Sequence, residues 1–266
     1  MATLTLPRQR REVWLRAGRD GFSVVGAVLL AVVLVSGSGG DAHAYWSFSA
    51  ADPYSGPVGT PNGFLYSPVA ALVLLPLHLL SFPAFRLVLL AAEFAALAWL
   101  ARSWTLVALV FVPVAVELST GNVQLLLALA IVAGFRWPAA WSFVLLTKVT
   151  PGVGLLWFAV RREWSSLGIA LGATAALAAA SALIVPGWWP GWIDTLVGSV
   201  GHAPPTPTLP LIALAARLPA AALLVAWGAH TDRQWTVPVA AMLALPVVWW
   251  TSLSMLVGVV PLLRRT

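Results

Sequence analysis

Lys148 is the single lysine of this chain, and the other fourteen basic residues are arginines. It stands inside an apolar run that extends from Phe143 to Trp157. A lone cation at membrane depth costs about 3 kcal/mol on insertion scales, so it usually faces a polar cavity and a partner, often an anion. Pro151 and Gly152 follow almost at once and predict a break in the helix. A cation at a helix break is suited to holding a phosphate.

Asp41 is the carboxylate best placed for acid–base chemistry. It follows the first apolar segment directly, behind two glycines and beside His43, Tyr45 and Trp46. A carboxylate at a half-dry interface can act as a general base. The competing interpretation is an ordinary aspartate at a helix end or in a loop. Asp52 stands before a proline and is predicted to initiate a turn.

Aromatic side chains near the predicted outer face could stack on a sugar. The competing interpretation is that they anchor the protein at the membrane interface, where tryptophan and tyrosine are enriched. A loop histidine could likewise support the site or simply be solvated. The candidates for sugar or acceptor contact are His43, Tyr45, Tyr54, Tyr66, Trp249 and Trp250.

Two amides and two acids lie among the apolar segments of the middle of the chain. Asn122 and Gln124 belong to a polar break and offer hydrogen-bond donors and acceptors. Glu117 precedes this break, and an acid at membrane depth warrants a functional hypothesis. It could be protonated, or it could pair with Lys148 or with the arginine at position 136. Glu93 is expected to have a packing or pairing role.

Composition places all these residues in a membrane. The chain has 266 residues, of which 60% are hydrophobic and 9% charged, whereas soluble domains carry about 25% charged residues. This predicts an all-α, polytopic integral membrane protein. The net charge of +6 comes from short arginine tracts between apolar segments, which is typical of topology signals and not of nucleic-acid binding. Because there are no cysteines, disulfides and thiol chemistry are excluded.

One membrane domain, residues 1–266, is predicted, with about 8–10 transmembrane or half-membrane helices. Two stretches are predicted to be non-helical loops, 37–65 and the Pro/Trp-rich 186–210. Several segments are shorter than the ~20 residues needed to span a bilayer. The apolar segments lie at about 21–36, 66–80, 84–101, 105–118, 122–135, 138–160, 165–185, 209–229, 234–246 and 250–263.

Arginine placement predicts the orientation of a multi-pass protein in the cell membrane. Residues 1–20 contain five arginines and indicate a cytoplasmic N-terminus. Loops 37–65 and 186–210 then lie outside, which brings Asp41 to the outer face. Segment 138–160 either spans once or turns at Pro151 as two half-helices, which is tolerated where the irregular backbone lines a cavity.

Taken in chain order, these features resemble glycosyltransferase family 87, also known as the DUF2029 group. The resemblance covers about residues 20–263. Members are polytopic enzymes of the GT-C fold and include α-mannosyltransferases that use polyprenyl-phosphate mannose. The resemblance is carried by Asp41 after the first helix, Tyr66-Ser67-Pro68, Gly121-Asn122-Val123-Gln124, Lys148-Val149-Thr150-Pro151, Arg161-Arg162-Glu163-Trp164 and Pro246-Val247-Val248-Trp249.

The resemblance implies a GT-C-like helical bundle that transfers a hexose, in particular mannose. The donor would be a polyprenyl-phosphate sugar, and a lipid or glycan would accept the sugar at the outer membrane face. Asp41 would be the general base, and Lys148, with Asn122 or Gln124, would hold the donor phosphate. A lipid phosphate is already a good leaving group, so no metal or other cofactor is expected. The expected partners are the donor, the acceptor and membrane lipids, without nucleic acid.

The chain departs from the family pattern at three points. Its amides stand as Asn122 and Gln124, where the family usually has glutamine first and asparagine second. Thr251 and Ser252 occupy the place where a histidine is expected, and only about 98 residues separate Lys148 from the Pro246 motif. Two alternatives to an active enzyme therefore stay open. One is a non-catalytic member of the same family, and the other is a transporter or flippase for a lipid-linked solute, which broken helices and a buried cation also suit.

Overall fold

The computed structural model describes residues 8–56, 63–199 and 213–263. Over these ranges the chain forms helices and turns without a β-strand, which confirms the prediction of an all-α membrane protein. Short 3₁₀ helices at 75–79, 102–104, 138–140, 150–155 and 251–258 link several of the α-helices. The α-helices are α1 (Arg8–Ser36), α2 (Gly40–Ser47), α3 (Pro68–Leu74), α4 (Phe82–Ala101), α5 (Thr105–Ala108), α6 (Val112–Thr120), α7 (Gln124–Gly134), α8 (Trp141–Thr147), α9 (Leu156–Val160), α10 (Trp164–Ile184), α11 (Trp188–Ser199), α12 (Leu214–His230), α13 (Thr236–Leu243) and α14 (Val259–Leu263).

Three helices in the described ranges are long and apolar enough to cross a membrane, namely Arg16–Ser36, Phe82–Ala108 and Trp164–Ile184. A fourth span results if α6 and α7, which meet at an angle of 110°, are counted together. The other apolar helices are only 10–17 residues long, so none of them reaches the ~20 residues of a full crossing. These shorter helices are Pro68–Leu79, Pro138–Thr147, Thr150–Val160, Leu214–His230 and Thr251–Leu263.

Prolines start several of the helices, although Pro219 lies inside α12. Ser67 is the N-cap of α3, and its hydroxyl accepts a hydrogen bond from the backbone N–H of Ala70, with Pro68 in the first turn. Prolines also lie in the first turns of α4 and α6. A proline costs little there because its missing N–H would have had no helical partner.

The prediction of two non-helical loops was wrong in part. Segment 37–65 contains α2, in which Ala42 and Tyr45 are buried on one face. Segment 186–210 contains α11, where Pro190 falls in the first turn and is therefore compatible with a helix. The parts of these segments at 57–62 and 200–210 lie outside the described residues, as do residues 1–7 of the N-terminal segment.

The predicted break in segment 138–160 is present but lies earlier than expected. The α-helix ends at Thr147, and Lys148 has an extended backbone with φ −141° and ψ 113°. A 3₁₀ helix then begins at Thr150, with Pro151 in its first turn. The chain thus turns at the lysine itself, because Pro151 has no N–H to donate to the carbonyl of Thr147 and its ring would clash with that carbonyl if α8 continued.

Two apolar clusters form the interior. The larger is built from side chains of α4, α6, α7, α8, α12 and α13, and the smaller is an aromatic cluster around α2 and α3. Val123, in the turn between α6 and α7, packs against both clusters. That turn therefore lies where the segment after α1 meets the helical interior.

Two contacts fix α1 against the rest of the protein. At Gly26 a Cβ atom would lie 1.8 Å from the carbonyl oxygen of Leu106, so only glycine allows α1 to approach α5 this closely. Near the other end of α1, the Arg86 guanidinium donates to the carbonyl oxygen of Val33 at 2.7 Å. A cation at a helix C-terminus is favourable. Together these contacts set where α1 ends and hence where α2 begins.

Candidate active site

A sharp turn after α1 presents Asp41 to the interior. Gly39 has φ +59°, a left-handed conformation that favours glycine, and it is the N-cap of α2. Its N–H donates to the carbonyl oxygen of Ser119 at 2.9 Å, which ties this turn to the end of α6. Asp41 lies in the first turn of α2 and is half-buried. Its carboxylate consequently stands close to both the α6–α7 turn and the surface.

Asn122 lies in the α6–α7 turn and binds Asp41 directly. Its amide nitrogen Nδ2 donates to Asp41 Oδ2 at 3.0 Å. Its Oδ1 accepts the backbone N–H of Val123 at 2.8 Å, and this second bond orients the amide so that the NH₂ group faces the carboxylate. The hydrogen bond holds the Asp41 carboxylate in one orientation through its oxygen Oδ2.

Gly121 lets α2 pack directly on this turn. It ends α6 with φ +71°, and a Cβ atom added there would lie 2.7 Å from the Cβ of Ala42. A left-handed non-glycine residue costs roughly 1–2 kcal/mol, before the clash is counted. Both the conformation and the close approach therefore require glycine.

Gly121→Ala is expected to lower the unfolding midpoint and to reduce activity about 10-fold or more, because α2 must move away from the turn and lengthen the Asn122–Asp41 contact. Thermal unfolding in detergent would measure the first effect, and initial reaction rates would measure the second. Gly168→Ala is the matched control, since no atom lies within 4 Å of a Cβ at that position. Wild-type activity in Gly121→Ala would contradict the close packing.

Glu117 is fully buried in the last turns of α6 and reaches across the turn. Its Oε1 accepts the backbone N–H groups of Gln124 and, at 3.3 Å, of Leu125, the first two residues of α7. Its Oε2 is buried and has no hydrogen-bond partner among the described residues. Arg136, one of the partners considered from the sequence, is exposed and stacks over Trp137.

Lys148 is brought close to both carboxylates. The α8 end that leads to it is bound to the start of α3, since the N–H of Ser67 donates to the carbonyl oxygen of Leu146 at 3.3 Å. The half-buried ammonium interacts electrostatically with Glu117 and with Asp41. Yet within the described ranges no carboxylate lies within the 4 Å of an ion pair to Lys148. The cation thus lies within electrostatic range of both acids without a direct ion pair to either.

Three tyrosines form a hydrogen-bonded wall beside Asp41. The hydroxyls of Tyr45 and Tyr66 lie 2.7 Å apart, and the Tyr54 hydroxyl donates to the carbonyl oxygen of Tyr66 at 2.8 Å. Burial raises the pKa of all three phenols, so they stay protonated at neutral pH. Tyr45 is only 4% exposed, so in this structure its ring offers no open face to a sugar. Tyr54 and Tyr66 are half-buried.

Other residues predicted from the sequence lie apart from this group. His43 packs edge-on against Trp46 and Phe82 on another face of α2, and its Nδ1 lies 3.2 Å from the Ser47 hydroxyl. Gln124 is fully buried, and its amide atoms have no partner in the described part of the chain. It does not contact Asp41 as Asn122 does.

The segment with Trp249 and Trp250 is held by an arginine that the sequence did not single out. The Arg217 guanidinium donates to the carbonyl oxygens of Leu243, Leu245 and Pro246 at 2.7, 2.8 and 3.0 Å. The N–H of Trp249 donates to the Ser252 hydroxyl at 3.0 Å. Trp250 is 57% exposed, which fits a residue at the membrane interface. A lone arginine in an apolar helix was the available signal for Arg217.

The chain matches the model of a known protein family. The family model described as Glycosyltransferase family 87 matches residues 64–263, which is most of the chain. Asn122, Lys148 and Pro246 lie inside the matched region, whereas Asp41 precedes it. No curated protein and no solved structure matches this sequence.

Proposed function

We propose, on the premise that this chain belongs to glycosyltransferase family 87, that it transfers a hexose from a polyprenyl-phosphate sugar donor to a lipid or glycan acceptor. The family confirms the resemblance of the sequence and makes the chain a membrane glycosyltransferase. Mannose is the sugar we propose, and the outer face of the cell membrane is the proposed place of transfer, with the N-terminus in the cytoplasm.

The observation that supports this proposal is the meeting of a carboxylate and a cation from distant parts of the sequence. Asp41 is held by Asn122 at 3.0 Å, and Lys148 interacts electrostatically with Asp41 without a direct ion pair. A base and a phosphate ligand are the two groups that transfer from a lipid phosphate requires. Asp41 is itself only half-buried, and we propose that the acceptor approaches it from this partly exposed side.

In the proposed reaction, the donor phosphate lies against the Lys148 ammonium and its sugar points towards Asp41. An acceptor hydroxyl attacks the anomeric carbon and forms the new C–O bond, while the bond from that carbon to the phosphate oxygen breaks. Asp41 takes the hydroxyl proton, and the electron pair of the broken bond leaves with polyprenyl phosphate. Lys148 stabilises the negative charge that gathers on this leaving group. Because Asn122 donates its amide N–H to Asp41, we assign it the role of orienting the base and not that of binding the phosphate.

Transfer can be tested with the purified chain in liposomes that contain radiolabelled polyprenyl-phosphate mannose and an extract of membrane lipids and glycans. We expect label from this donor to move into the acceptor fraction. Transfer from the corresponding glucose-bearing donor should be slower. Movement of the donor across the bilayer without transfer would instead support a transporter or flippase.

If the donor is neither used for transfer nor moved across the bilayer, the result would support a non-catalytic member of the family. That alternative draws on Thr251 and Ser252, which stand where the family has a histidine, and the Ser252 hydroxyl already binds the N–H of Trp249. A nucleotide-sugar donor that labels the acceptor directly would contradict the proposed donor class.

A further inference from the structure

Glu117 has no part in the proposed proton transfer or phosphate binding, yet it is among the most firmly bound side chains near the site. It is fully buried, as is Glu93, the other acid at membrane depth. Both carboxylate oxygens of Glu93 lack hydrogen-bond partners in the described ranges, whereas Glu117 Oε1 accepts two backbone N–H groups. The Glu117 side chain is therefore hydrogen-bonded to the main chain next to the site.

The first contact of Glu117 is with the beginning of α7. The first N–H groups of any helix lack acceptors within it, and Val123, the N-cap of α7, offers no side-chain cap. The Glu117 carboxylate fills that role from α6 by accepting from Gln124 and Leu125. These two hydrogen bonds supply an acceptor that the helix itself cannot provide at its first turn.

The second contact is with the turn itself. The backbone carbonyl of Glu117 accepts the N–H of Gly121 at 2.9 Å and the N–H of Asn122 at 3.4 Å. One residue therefore binds the turn at its beginning through the main chain and at its end through the side chain. Asn122, which lies between these two anchors, projects its amide onto Asp41.

We infer that Glu117 is a positioning residue, whose carboxylate holds the α6–α7 turn in the form that keeps Asn122 hydrogen-bonded to Asp41. This inference rests on the proposed function, because it concerns the placement of the proposed base. Glu117 acts through Asn122 and does not touch the reacting atoms. Without its carboxylate, the N–H groups at the start of α7 lose their acceptor, and the turn relaxes away from α2.

Kinetics separate this role from general stabilisation. Glu117→Met keeps the volume but removes the acceptor, and we expect kcat to fall about 10- to 100-fold with the donor KM within about 3-fold. Glu117→Gln keeps one acceptor oxygen and is expected to retain kcat within about 3-fold. Glu93→Gln is the matched control, a buried acid without such bonds, and should keep the kcat of the wild type.

Combining variants tests whether Glu117 acts through Asn122. Because both changes would misplace the same base, Glu117→Met together with Asn122→Ala should cost no more than about 2-fold beyond Asn122→Ala alone. The inference would be overturned if the reductions in kcat of the two single variants multiplied in the double variant. It would also be overturned if Glu117→Met kept the kcat of the wild type or no longer folded.

Cross-linking tests the geometry without any activity. The chain has no cysteine, so Asp41→Cys with Asn122→Cys gives a clean pair across the hydrogen bond. Because the two Cβ atoms lie further apart than a disulfide allows, a short bifunctional thiol reagent is used to bridge them. We expect it to join this pair readily when Glu117 or Glu117→Gln is present, and at least about 5-fold more slowly with Glu117→Met. If the wild type transferred no sugar, the proposed function would fail, but this measurement would still decide the role of Glu117.

A second cysteine pair serves as the control for the fold. At Gly258 a Cβ would lie 3.5 Å from the Cβ of Ala128 on α7, which is within the disulfide range. Gly258→Cys with Ala128→Cys should cross-link at the same rate with and without Glu117. If Glu117→Met slowed the cross-linking of both pairs, or of neither pair, a specific effect on the turn would be contradicted.

Discussion

Asp41→Asn is expected to lower the rate of sugar transfer by at least about 10²-fold while the protein stays folded. General base catalysis contributes roughly 10²- to 10⁴-fold, and an asparagine cannot take the proton of the acceptor hydroxyl. Its side-chain oxygen can still accept the hydrogen bond that Asn122 donates to Asp41, so the local structure should be kept. Initial rates with radiolabelled donor, together with thermal unfolding, would measure both parts.

Asp52→Asn provides the matched control for this substitution. Asp52 belongs to the same segment 37–65, is exposed, and its carboxylate accepts the backbone N–H of Tyr54 at 3.0 Å. Its replacement should leave transfer within about 2-fold of the wild type, as surface substitutions usually do. A fully active Asp41→Asn enzyme would remove Asp41 from the mechanism.

Lys148→Met is expected to lower kcat/KM for the lipid-phosphate donor by about 10²- to 10³-fold, the usual effect of removing one group that stabilises transition-state charge. Methionine fills a similar space, and the backbone N–H of this residue keeps its bond to the carbonyl oxygen of Val144 at 2.8 Å. Lys148→Arg should restore only part of the activity, because the planar guanidinium places its charge differently. Rates over a range of donor concentrations would separate kcat from KM.

Arg136→Met is the control for loss of a single positive charge. Arg136 is exposed and stacks over Trp137 at 5.2 Å from the ring, so its replacement should not change donor use. If Lys148→Met used the donor as well as the wild type, the proposed phosphate contact would be wrong.

The fold class and most helices could be predicted from the sequence, because apolar composition and length determine what inserts into a bilayer. The helices α2 and α11 could not. Each is short, lies in a segment rich in turn-forming residues, and is stabilised by tertiary contacts such as the burial of Tyr45. A helix that forms only against its neighbours leaves a weak periodic pattern in the sequence.

The candidate site was predictable residue by residue but not as an arrangement. Asp41 and Lys148 stood out because each is a charge next to a helix break. Asn122 and Gln124 looked equivalent, and only the fold separates an amide that binds Asp41 from one that is buried without a partner. The Asn122–Asp41 bond joins residues 81 positions apart, so no local pattern could indicate it.

The long helices α1 and α10 have a consequence for how such a site can exist in lipid. Only 11% of the apolar window of each is buried within the protein, so both present most of their surface to hydrocarbon. They supply much of the favourable transfer energy that segments bearing Glu117 or Lys148 could not supply alone. Exposed positions of these two helices, such as Val28 and Leu177, therefore require only an apolar side chain. Exchanges between apolar residues should be tolerated at these positions, whereas substitutions around Asp41, Asn122 and Lys148 should not be.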